Sequence, residues 1–255
     1  MLLNYQQSGQ GSHVVLIHGL FGSLENLNVI AKALSENYTV TNIDLRNHGK
    51  SFHSDSMNYT VMAADVLELL NHLNINKAHI VGHSMGGKVA MQLALSYPER
   101  VEKLVVMDIS PVANKPRHGA IFKGLNDVAN SAVTDRKAAD EILAKQIPEL
   151  GVRQFLLKSF AKNEQGQYQW RFNLAVLDQQ YENILAQLDE NDSCLCDTLF
   201  IKGNDSDYIL AEHRPVIMAL FPNSKAKIIH GAGHWLHAQK PLAVNKAISD
   251  FLASN

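Results

Sequence analysis

The stretch VGHSMGGK, residues 81–88, sets a serine among three glycines directly after a short apolar run. Glycine is costly in strands and helices alike. Gly82, Gly86 and Gly87 therefore point to a backbone with no room for side chains. Gly82-His83-Ser84-Met85-Gly86 fits the pattern G-x-S-x-G, with AHIV (78–81) before it reading as a strand and the segment from Gly87 as a helix. A serine at such a strand-turn-helix junction takes strained backbone angles, so its neighbours must be small. A helix start with an N-capping serine is the plainer alternative, and the flanking strand and helix weigh against it.

Outward from this junction the chain keeps one rhythm. HVVLI (13–17), YTVTNI (38–43), AHIV (78–81), KLVVMDI (103–109), TLFI (198–201) and AKIIH (226–230) are nearly unbroken apolar runs, as expected of strands buried on both faces of a parallel sheet. Helical patterns lie between or after them, including residues 28–36, 61–73, 86–100 and 242–254. The alternation predicts an α/β fold with a mostly parallel, doubly wound sheet. The rhythm stops from about Pro111 to Asp192, where no convincing strand appears but helical stretches do (119–133, 136–147, 152–161). Eighty residues exceed an ordinary loop, so residues 111–192 are expected to form a helical cap inserted into a core of 1–110 and 193–255. Its expected place is over the carboxyl ends of the strands, where open α/β sheets bind ligands.

At 255 residues, 46% apolar and 19% charged, the chain has the balance of one large globular core. A net charge near −2, without any Lys/Arg cluster, argues against nucleic acid as a partner. The opening residues lack a charged leader and apolar core, and no run approaches the roughly 18 apolar residues of a membrane span, so no membrane partner and a cytoplasmic location are expected. The two cysteines, Cys194 and Cys196, are too few for a structural zinc site and too close for an ordinary disulfide. They are read as inert residues leading into a strand.

A serine hydroxyl needs a base within hydrogen-bond reach and a third group to orient that base. His234, in IIHGAGHWLHAQKP, follows the last expected strand on a loop that Gly231 and Gly233 allow to turn back over the sheet. It is preferred over His230, which continues the strand, and His237, which approaches the next helix. The acid should lie between serine and histidine in the chain, and Asp108, Asp205 and Asp207 all qualify, each after a strand. His18-Gly19-Leu20-Phe21-Gly22 follows the first of the six runs and can supply one backbone N–H of an oxyanion hole, from Leu20 or Phe21, with Met85 supplying the other.

Taken in order, His18-Gly19, DLRNHGKS (44–51), GHSMGG (82–87), Pro98-Glu99-Arg100, GAGHW (231–235) and the closing helix resemble the α/β-hydrolase superfamily. In that superfamily Asp44, Arg46 and His48 would brace loops rather than react. HGLFGSLENL, RNHG, GHSMGGK, MDISPV, FLLKSF and WRFN resemble, more narrowly, the YbfF-type bacterial esterases and mitochondrial abhydrolase relatives. This resemblance implies an α/β-hydrolase fold with a helical cap, no metal and no organic cofactor. It also implies hydrolysis of a small-molecule carboxylic ester or acyl thioester such as an acyl-CoA. It assigns the acid to Asp108, with Asp207 in reserve, because the position used by broader relatives, three residues after Gly203, holds Ser206. Ser84, Asp108 and His234 are then the expected catalytic residues, with Leu20 and Met85 as oxyanion donors. Phe21, Phe122, Phe155, Phe160, Trp170, Phe172 and Trp235 are candidates for an acyl pocket, and Lys158, Arg153 and Arg171 for contact with an anionic substrate part. A carbon–carbon bond hydrolase or a menaquinone-pathway lyase can use the same residues, and the fold can also serve as a non-catalytic small-molecule receptor. An aspartate-nucleophile dehalogenase or epoxide hydrolase is disfavoured by the serine at position 84.

Overall fold

The computed structural model describes residues 1–188 and 193–254. Seven strands make one sheet: β1 (Tyr5–Ser8), β2 (His13–Ile17), β3 (Thr39–Ile43), β4 (Ala78–His83), β5 (Val101–Met107), and, beyond a short hairpin of β6 (Phe160–Lys162) and β7 (Tyr168–Trp170), β8 (Asp197–Gly203) and β9 (Ser224–Ile229). The order across the sheet is β1-β3-β2-β4-β5-β8-β9, and only the edge strand β1 runs antiparallel to its neighbour.

The apolar runs of the inner strands are continuous because each of those strands feeds two cores; AKIIH departs from that expectation, since β9 is the sheet's edge and buries only Ile229 while Ala226, Lys227 and Ile228 stay exposed. Val15 and Ile17 of β2 and Leu104 and Val106 of β5 pack on one face, with α2 (Tyr59–His72) and α3 (Met85–Ser96). Val14, Leu16, Val105 and Met107 pack on the other, with α1 (Asn28–Leu34) and the C-terminal helix (Pro241–Ala253). This period of two is that of a pleated strand covered on both sides.

Between β5 and β8 lie α4 (Gly119–Ala129), α5 (Arg136–Leu143), α6 (Leu150–Leu157), the β6–β7 hairpin, α7 (Leu174–Gln179) and α8 (Tyr181–Leu185). The helical pattern read across 152–161 therefore ends early. Phe160 begins a strand paired with Trp170, in a segment where the sequence offers no clear strand. The expected far boundary of the insertion, residue 192, lies outside the described residues. The chain ends of this segment are tied together: Leu188 N–H donates to Pro111 O at 2.9 Å and Asn114 N–H to Leu185 O at 2.8 Å. The fully buried Lys88 on α3 donates through Nζ to Val112 O (2.8 Å) and Ala186 O (2.6 Å), bonding both ends at once. After β8 come α9 (Arg214–Leu220), then β9, α10 (Leu236–Gln239) and α11, the C-terminal helix already placed. Among the described residues, no helix is long and apolar enough to cross a membrane.

Candidate active site

The site is built where strand ends meet. Ser84 follows β4 with φ 54° and ψ −123°, outside the regions a serine ordinarily occupies. Its N–H donates to Met107 O at 3.0 Å, so the sheet's hydrogen bonding runs past the end of β4 and holds the strained residue. The glycines are needed for close approach. A Cβ on Gly82 would lie 2.2 Å from Gly86 O, and one on Gly86 would lie 2.3 Å from Ile17 O. Asp108, the residue after β5, also has positive φ (52°) and is held in the same way, its N–H donating to Ile201 O at 2.8 Å.

Three side chains from separate loops then fall into line. The Ser84 hydroxyl meets His234 Nε2 at 2.9 Å, and His234 Nδ1 meets Asp108 Oδ2 at 2.8 Å. Asp108 is fully buried, and its carboxylate accepts two further donors, Gly203 N–H at 2.9 Å and the Ser206 hydroxyl. A buried carboxylate with three donors is satisfied as an anion and can fix the imidazole tautomer that leaves Nε2 free to take the serine proton. The His234 ring stacks on Tyr208, with ring centroids 3.8 Å apart, and Arg117 lies over the Tyr208 ring, 4.4 Å from its centroid. His83 donates from Nε2 to His234 O at 2.8 Å and so holds the backbone of that residue.

The neighbouring imidazoles are kept neutral. Burial, then the nearness of other histidines, holds His83 well below the ordinary histidine value, and burial with the charge of His234 brings His118 and His237 to about 4. The three imidazoles nearest His234 are thus neutral at neutral pH.

On the β2 side, Phe21 has φ 62° and its N–H is taken by His48 Nε2 at 3.2 Å. His48 is fixed in turn by its Nδ1 contact with Arg46 O at 3.0 Å, and burial pushes it down to about 3, so that it stays an acceptor. The N–H groups of Leu20 and Met85 meet no partner among the described residues. Of the two amides the sequence offers on this loop, Leu20 is the one left available.

Ser84 opens on two small cavities of about 30 Å³ each. One is mainly apolar, with Leu20, Phe21, Ile121, Val152, Phe155, Leu156 and Trp235 beside His83, His118 and His234. The other carries Tyr59, Ile109, Ile184 and Leu185 but also Asn114, Lys115, Arg117, Tyr181 and Tyr208.

Comparison with known proteins agrees with this architecture. The model of the α/β-hydrolase fold family matches residues 12–241. The chain belongs to that family. It is 42% identical to esterase YbfF of Escherichia coli over 258 residues, covering 99% of both chains, and 40% identical to the sn-1-specific diacylglycerol lipase ABHD11 of Xenopus laevis, covering 98% of this chain and 82% of that one. Among solved structures, an esterase from a marine microorganism superposes with a TM-score of 0.95 at 36% identity, over 98% of this chain and 99% of that one.

The structure brings Ser84, Asp108, His234, Leu20 and Met85 into one place and leaves Asp207 outside it. Asp207 is largely exposed and pairs with Arg117 Nη1 at 2.5 Å. Among the pocket candidates, Phe21, Phe155 and Trp235 line the apolar cavity. Phe122, Phe160, Trp170 and Phe172 do not line either cavity. They pack on one another and behind Phe21, with Trp170 stacked on Phe172 at 5.2 Å and Phe122 against Phe21 at 5.2 Å. Arg153 is paired with Asp140 at 2.8 Å and Arg171 with Glu25 at 2.9 Å, and neither lines a cavity at Ser84. Lys115, Arg117 and Tyr208 escaped sequence reasoning because nothing in a lone cation or tyrosine on a loop marks it as facing a cavity. Ser206 carried a signal in its place three residues after Gly203, and its hydroxyl donates to the Asp108 carboxylate.

Proposed function

We propose that this protein is a serine esterase that hydrolyses small-molecule carboxylic esters, acyl thioesters such as acyl-CoA among them, through an acyl-enzyme. The observation that carries the reading is the unbroken line from Ser84 Oγ through His234 to the buried Asp108. The relatives named as esterase and as diacylglycerol lipase support the ester as the bond attacked.

In the proposed cycle His234 Nε2 takes the Ser84 proton as Oγ bonds to the acyl carbon, and the carbonyl electron pair moves to oxygen, against the Leu20 and Met85 amides. The imidazolium, held by Asp108, returns its proton to the leaving alcohol or thiol as that bond breaks. Water, deprotonated by His234, then attacks the acyl-Ser84, and the proton goes back to Oγ as the carboxylic acid departs. The described part of the insertion, residues 111–188, acts as a cap over both cavities, and Lys115 at the polar cavity, beside the Asp207-paired Arg117, suits a leaving group with anionic substituents, which supports the thioester part of the reading.

Labelling with a fluorophosphonate tests it: wild type should be modified and Ser84→Ala should not. A panel of p-nitrophenyl esters and acyl-CoAs then separates ester from thioester turnover. A wild-type protein that resists the probe and hydrolyses neither series refutes the proposal.

A further inference from the structure

The cavity at Ser84 has room for little more than a small acyl group, about 30 Å³. Yet three of its wall residues, Val152, Phe155 and Trp235, also line a groove of about 500 Å³ on their far side. From the geometry we infer that this groove is the binding site for the hydrocarbon tail of a medium- or long-chain acyl group, entered between Phe155 and Trp235. The inference rests on the esterase reading above and adds to it the substrate class and the route of the chain.

Four observations point this way. The groove is separated from the apolar cavity only by side chains that line both, Val152, Phe155 and Trp235, whereas the second cavity at Ser84 has cationic and phenolic walls that suit a leaving group. Phe155 and Trp235 remain only partly buried, with ring centroids 6.0 Å apart, so both sides of the partition present apolar surface that a hydrocarbon chain would cover. Trp235 directly follows the base His234, which puts the partition next to the reacting carbonyl. The groove's polar residues, among them Glu149, Lys158 and Gln239, do not extend into the apolar cavity, so the chain would meet an apolar entrance and a wet outer margin. Phe155, on the short helix α6, lines both spaces and is the partly buried side chain of that helix whose displacement the proposal requires.

Gly151 supplies the test. It lines the groove, and a Cβ there would meet nothing within 4 Å, so a large side chain can be added without a clash at its root. Each methylene buried should raise kcat/KM about fourfold. The ratio of kcat/KM for p-nitrophenyl dodecanoate to that for the acetate should therefore fall at least tenfold in Gly151→Trp, and it should rise in Phe155→Ala, which opens the partition. Both ratios are taken on folded protein, as checked by thermal melting, and Phe155→Ala answers the question alone if Gly151→Trp does not fold. Ratios within twofold of wild type in the folded variants overturn the inference and send the tail to the polar cavity. Absence of hydrolysis of both the acetate and the dodecanoate in wild type, together with resistance to the fluorophosphonate, overturns the esterase reading itself, so the two failures are distinguishable.

Discussion

Replacing Asp108 by asparagine separates a carboxylate that orients the base from one that only caps a turn. The Asp108 carboxylate is 0% exposed and accepts from three donors: Gly203 N–H, the Ser206 hydroxyl and His234 Nδ1–H. An asparagine has one acceptor oxygen and one NH₂, so its NH₂ must face at least one of those donors. If it faces His234, the imidazole is stable only with its proton on Nε2, and the lone pair that should receive the Ser84 proton is gone. In serine-protease triads the equivalent change costs about 10⁴ in kcat, which is about 5 kcal/mol of transition-state stabilisation. Asp108→Asn should show a loss of that order in steady-state ester hydrolysis, with the folded fraction confirmed by thermal melting. Asp207→Asn gives up an exposed ion pair worth at most about 1 kcal/mol, and kcat should stay within about fivefold of wild type. Ser206→Ala removes one donor and keeps the other two, so a loss of about tenfold is expected. Near-normal activity in Asp108→Asn together with a collapse in Asp207→Asn would refute this assignment.

Three further tests probe the supports of the site. Gly86→Ala drives a Cβ to 2.3 Å from Ile17 O, so the elbow must open; a loss of about 3 kcal/mol or more is expected in urea unfolding, and a stable, active variant would contradict the packing. His48→Ala frees the Phe21 N–H and loosens the loop that carries the Leu20 amide, which should lower kcat about 10- to 100-fold with little change in KM; a change confined to KM would argue against an oxyanion role. Lys88 is brought to about 7 by burial, below its unfolded value of about 10.4, so the unfolded chain binds more protons between those values and stability must rise with pH across that window. Relative to Lys88→Met, wild type should gain up to about 1.4 kcal/mol per pH unit above pH 7 in urea melts, and parallel stability curves for the two proteins would show that burial does not lower the proton affinity of this amine.

The elbow at Ser84 and the return of His234 to it are legible in the sequence because their signals are local. Close backbone approach demands glycine at 82 and 86 whatever surrounds them, and a glycine-bounded histidine after the last strand has one sheet end to return to. The two-faced inner strands are equally plain, since burial on both sides leaves no polar alternation to misread, whereas AKIIH misleads because nothing in a short apolar run marks β9 as an edge. The β6–β7 hairpin was not, because strands of three residues are shorter than any period that could reveal them. What tertiary structure alone decided are pairings between loops far apart in the chain. Reading the residues by themselves leaves Asp108, Asp205 and Asp207 open. Only the meeting of the β5, β8 and β9 loops gives Asp108 to His234 and Asp207 to Arg117. Leu20 and Phe21 are equal candidates until His48, 27 residues away, takes the Phe21 amide. Which aromatics face substrate space and which pack on one another is likewise a question of three-dimensional neighbours, for which hydrophobicity along a chain has no code.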